Sequence, residues 1–130
     1  MDLTDDPYVA AYPETLPFWE AAAAGRLLLK FCRQCGRTHW YPRALCPHCH
    51  SSDLEWRESA GWGSVYSFTV VRRAEPPYVL AYVQLEEGPR LLTNIVDCDP
   101  DSVQIGQRVS VTFRPAAEGR AMPVFRPAAA

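Results

Sequence analysis

The sequence predicts a mainly β protein, with an N-terminal helical segment, a four-cysteine metal-binding ribbon and a five-stranded closed barrel. Two observations carry this expectation. Two Cys-x-x-Cys pairs, Cys32/Cys35 and Cys46/Cys49, lie ten residues apart, and four runs rich in Val, Tyr, Phe and Thr follow them. The expected division is residues 1–25, 26–57 and 58–127, each part on its own being marginal without a staple.

Residues 1–13 are expected to be extended, because Pro7 and Pro13 discourage helix. A helix is predicted next in PETLPFWEAAAAG. Thr15 is its expected cap, Pro17 sits in its first turn, Ala21–Ala24 supply helix propensity and Gly25 stops it. RLLLKF is too short for a second helix and is expected as a strand entering the cysteine cluster, with SSDLEWRE returning from it. The barrel strands are expected at 63–71, 78–85, 90–97 and 107–115, with a short fifth within Met122–Phe125. Val109, Val111 and Phe113 alternate and so should share one face. With no helical pattern between them, strands of this length favour closure into a small barrel.

The acidic start MDLTDDPYVAAYPE lacks the basic and apolar regions of a signal peptide, and no apolar run approaches the ~20 residues of a membrane span. A cytoplasmic, membrane-free protein is expected. In a reducing compartment, paired Cys-x-x-Cys turns indicate a metal rather than disulfides. Two such turns complete a tetrahedron, with Gly36 easing the first knuckle and Pro47 stiffening the second. Cys32, Cys35, Cys46 and Cys49 are therefore the expected ligands of one ion. Four protein ligands leave no open position, which makes the site structural. Zinc is the expected metal. Iron is the alternative, since CRQCG and CPHC resemble rubredoxin knuckles, although His50 stands where a glycine would follow. His39, His48 and His50 are read as exposed loop residues, and Cys98 as a spare thiol.

No glycine-rich phosphate loop, nucleophile triad or carboxylate pair is present, so no catalytic residue is assigned. Net charge is −2, and residues 58–113 carry seven acids against four arginines, the wrong sign for a nucleic-acid groove. Nucleic-acid binding and electron carriage remain the alternative functions. The six bases of residues 26–57 form a basic middle, suited to a phosphate-bearing ligand or simply to a solvated surface.

Several features occur together in order: FWEAAAAGRLLLKFC, CRQCG, YPRALCPHC, LEW, GWGSVYSFTVV, a Pro-Pro before a strand, IGQRVSVTF and MPVFRP. This set resembles the zinc-ribbon plus OB-fold family known as domain of unknown function thirty-five, over roughly residues 14–127. The resemblance implies a rubredoxin-like zinc ribbon followed by an OB barrel. It implies a non-catalytic accessory subunit of thiolase-like enzymes (thiolases, ketoacyl synthases or aldolases), in some cases beside a hot-dog-fold hydratase. Acyl-CoA would be handled at the assembled interface. The four cysteines carry over as zinc ligands. Phe18 and Trp19 carry over as an aromatic pair, either a docking anchor or part of the core. Arg43 carries over as a contact for a CoA phosphate or as a brace for the ribbon.

Overall fold

The computed structural model describes residues 2–128. Contacts divide them into two units, one formed by residues up to Ser59 with Arg114–Met122, the other by Ala60–Phe113 with the segment from Pro123.

The first unit opens with helical turns where extended chain was expected. A 3-10 turn spans Leu3–Asp5 and helix α1 spans Pro7–Ala11. The reason is local. Pro7 occupies the first helical position, where a missing N–H costs nothing, and Asp6 caps the helix by accepting from the Tyr8 and Val9 N–H groups. Helix α2, Leu16–Ala23, ends as expected. Gly25 adopts φ +80°, its N–H donates to Ala22 O, and Arg26 N–H donates to Ala21 O. Thr15, however, does not cap it. Its hydroxyl donates to Tyr12 O at 2.6 Å and accepts from Trp19 Nε1 at 3.2 Å, which fixes the indole instead.

A three-stranded antiparallel sheet follows, in the order β2–β1–β3, with β1 at Leu28–Cys32, β2 at Thr38–His39 and β3 at Leu54–Glu58. Leu27, before β1, and Leu29, within it, are fully buried, and Phe18 packs edge-on against Trp19 and Trp40 at 4.8 and 5.4 Å between ring centroids. Residues 114–122 complete this unit through Arg120. Its guanidinium lies over the rings of Tyr8 and Trp19 and reaches both oxygens of Asp6 at 3.1–3.2 Å. Asp6 is wholly buried. Burial opposes its ionisation, but the Arg120 bonds and the two helix N–H donors outweigh it and hold the carboxyl below its ordinary range.

The second unit is a closed barrel, β4–β5–β6–β8–β7. Its strands run Trp62–Val71 (β4), Tyr78–Leu85 (β5), Arg90–Ile95 (β6), Arg108–Pro115 (β7) and Ala121–Pro127 (β8), within a few residues of the sequence expectation. Val65, Val79, Val83, Leu91, Val109 and Phe125 fill its interior. Gly63 sits between β5 and β7, opposite Leu85 and Val109, at a point where strands approach too closely for any side chain. The register slips between Val65 and Ser67, so a bulge turns Tyr66 outward, 48% exposed. Where β6 meets β8 in parallel, the Thr93 hydroxyl donates to the Pro123 carbonyl at 3.2 Å, a side-chain link beside a residue with no N–H. No helix among the described residues is long and apolar enough to cross a membrane.

Candidate metal centre

The two Cys-x-x-Cys turns are built alike. In the first, Gly36 N–H donates to Cys32 O at 2.8 Å and Cys32 N–H to Arg37 O at 2.9 Å. In the second, His50 N–H donates to Cys46 O and Cys46 N–H to Ser51 O, both at 2.9 Å. Each turn closes on a left-handed residue, Gly36 at φ +75° and His50 at φ +66°. His50 thus holds the glycine conformation without being glycine, at a cost of roughly 1–2 kcal/mol.

The turns bring four sulfurs to within 4.8 Å of one another. Cys32 Sγ lies 3.5 Å from Cys49 Sγ, and Cys35 Sγ lies 3.7 Å from Cys46 Sγ. A tetrahedron with metal–sulfur bonds of about 2.3 Å has edges of about 3.8 Å, so the donor set fits one tetrahedral ion. Backbone N–H groups of Cys35 and His48 point at the sulfurs of Cys32 and Cys46, each at 3.4 Å, as outer-shell donors do around ligating sulfurs. The Cys46 thiol is held low. Burial opposes its thiolate, but the N–H groups of Cys49 and His48 prevail and bring it down to about 7. The Ser51 N–H favours a Cys49 thiolate, but burial and bonds to the other thiols push it up to about 12. The residues form a metal site of cysteine thiols alone, with Cys32 and Cys46 buried and Cys49 at the surface.

The other residues singled out from the sequence fall elsewhere. Phe18 and Trp19 are 2% and 6% exposed, so the pair is core and holds α2 in place. Arg43 is exposed, with its guanidinium 5.5 Å from the Tyr41 ring centroid. Tyr41 in turn shares a hydroxyl–hydroxyl hydrogen bond with Tyr8. His48 is exposed beside Arg37, as a loop histidine should be.

His39 is not exposed. It pairs with Lys30 across β1 and β2, is 5% exposed, and neither ring nitrogen has a partner among the described residues. Burial, followed by the charges of His48, Lys30 and Arg43, lowers its pKa, so the ring stays neutral. The two-residue strand that buries it leaves no periodicity in the sequence.

Comparison with known proteins adds the following. Residues 19–55 match the rubredoxin-like zinc ribbon domain of ChsH2, and residues 56–114 match its C-terminal OB-fold domain. A chain of the solved Ltp2-ChsH2(DUF35) aldolase superposes with a TM-score of 0.76 at 40% identity, covering 88% of this chain and 94% of that one. A DUF35 domain-containing scaffold protein of Methanothermobacter thermautotrophicus is 40% identical, over 67% of this chain and 71% of its own length. A probable enoyl-CoA hydratase alpha subunit of Thermomonospora curvata is 43% identical over 85% of this chain, but the match spans only 37% of that longer relative.

Proposed function

Because the chain belongs to the family of ChsH2-type zinc-ribbon plus OB-fold proteins, which includes the DUF35 scaffold proteins, we propose that it is a non-catalytic accessory subunit of an acyl-CoA enzyme. It binds a thiolase-fold or aldolase subunit and helps position acyl-CoA thioesters at the assembled interface. Such a role suits the cytoplasm. The observation that supports this most directly is the 40% identity to a chain of the Ltp2-ChsH2(DUF35) aldolase, sustained over 94% of that chain. A hot-dog-fold hydratase is a further partner of the same assembly, in keeping with the hydratase subunit name of the Thermomonospora relative.

In this reading the metal is zinc, held by Cys32, Cys35, Cys46 and Cys49. Bound there, it cross-links the two knuckles and supplies folding free energy to the first unit. The thiols take up every tetrahedral position, so substrate chemistry belongs to the partner. Arg43, exposed beside Tyr41, is free to meet a phosphate of the coenzyme.

Affinity purification of the tagged chain from its own cells tests the proposal, with metal analysis of the product. A thiolase-fold, aldolase or hydratase subunit in stoichiometric amount and one zinc per chain are expected. Recovery of nucleic acid or of redox enzymes in place of an acyl-CoA enzyme would defeat it. Visible absorbance of a ferric thiolate centre would replace zinc with iron.

A further inference from the structure

We infer that the outward face of β4–β6 is where the partner enzyme seats, and that the enzyme presents there an uncharged apolar patch with one carboxylate opposite Arg90. This rests on reading the chain as a subunit of an acyl-CoA enzyme.

The register defines the face. Val79, Ala81, Val83 and Leu85 point into the barrel, so Tyr78, Leu80 and Tyr82 point out, with Leu92 directly beside Tyr82. Tyr66, Tyr78, Tyr82 and Leu92 are 46–52% exposed. Three strands of 10, 8 and 6 residues hold a single charged side chain, Arg90, in a chain that is 22% charged. Exposed tyrosines and aliphatics without charge are the composition of an interface centre, with arginine at its margin.

Two further observations define the occupant. A shallow groove of about 220 Å³ runs over this face, its lining including Ser67, Thr69, Leu80, Tyr82 and Leu92. Sites for small ligands run from roughly 300 to 1,000 Å³, so this one suits an inserted apolar side chain instead. Arg90 lies 3.9 Å over the Tyr66 ring and has no carboxylate partner among the described residues. The three strands of a second copy, meeting this face with its own, carry no acid for Arg90. A nucleic acid requires several cations along its track, where the three strands carry only Arg90. A folded enzyme surface supplies both the apolar filling and the missing carboxylate.

The test uses the full chain and its Tyr82→Glu, Leu92→Asp and Arg90→Glu variants as parallel baits, with Leu45→Asp on the ribbon surface as control. The thiolase-fold or aldolase enzyme identified with wild type is then purified and titrated against each. Losses of at least about 30-fold are expected for Tyr82→Glu and Leu92→Asp, a several-fold loss for Arg90→Glu, and none for Leu45→Asp. Hydrogen exchange of the wild-type chain, with and without the enzyme, should show protection at residues 78–82 and 90–94, independently of whether any variant folds. Wild-type affinity in the face variants, or protection confined to the ribbon, overturns this inference and leaves the accessory role standing. A wild-type dimer dissociated by Leu92→Asp, with enzyme binding retained, assigns the face to a second copy and also overturns it. Failure of wild type itself to retrieve any acyl-CoA enzyme defeats both readings.

Discussion

Replacing Gly63 with alanine should destabilise the barrel, although the same change at an ordinary strand position would stabilise it. Gly63 is the one glycine of seven outside the left-handed region, so alanine meets no dihedral strain there. With no other effect, the lost freedom of the unfolded chain would add about 0.4–1 kcal/mol of stability. A Cβ at this position, however, lies 2.2 Å from Gln84 O, 2.9 Å from Gln84 C and 3.0 Å from Leu85 Cα. All three are backbone atoms and cannot rotate away. Relieving the overlap moves β4 from β5 by about 1 Å, enough to take neighbouring ladder hydrogen bonds beyond their working length. Two lost bonds at ~1 kcal/mol each, with one carbonyl left buried and unsatisfied at ~1–3, less the gain from the unfolded chain, give a net loss of about 2–5 kcal/mol. Urea unfolding of both proteins measures the difference, and hydrogen exchange localises it to β4 and β5. An alanine variant as stable as the parent would show that the strands are not as close as described and refute the reasoning.

Three other outcomes are expected. His39→Phe should raise the unfolding free energy by about 1–2 kcal/mol in chemical denaturation, because it removes two buried nitrogens that have no partner. His50→Gly should slow metal loss to a chelator and stabilise the ribbon by about 1 kcal/mol, since glycine takes φ +66° without strain. The Asp6 carboxyl is held below its ordinary value of 3.8, so its contribution is complete above that pH and is lost as pH falls through the lower folded value. Acid titrations of wild type and Asp6→Asn, followed by circular dichroism, should therefore converge at low pH and diverge above it; a difference independent of pH would contradict the ion pair.

The barrel was legible because each strand carries its own signal, β-branched and aromatic residues closed off by Pro, Gly or Asp. The knuckles were legible because the ligands of one ion come as two local pairs. What escaped the sequence is partly local and partly the work of distant partners. Pro7 reads as a helix breaker until Asp6 is seen to cap the turn it begins, and Asp6 is secured by Arg120, 114 residues away. Phe18 and Trp19 suit an exposed or a buried aromatic pair equally well, and Trp40 and Arg120 decide between them. The outward turn of Tyr66 follows from one extra residue in β4, which alternation alone does not reveal.

The closure of Asp6 by Arg120 also fixes an order of events during synthesis. Asp6 and the four cysteines leave the ribosome well before the counter-ion for Asp6, which follows it by 114 residues. Until then the N-terminal helices have no cation to offset the carboxylate they bury, and the barrel segment between them is translated in full. At ~5–20 residues per second that wait lasts roughly 6–23 seconds. For that interval the nascent first unit lacks its buried ion pair, and it is completed only after the barrel segment up to Phe113 has been made.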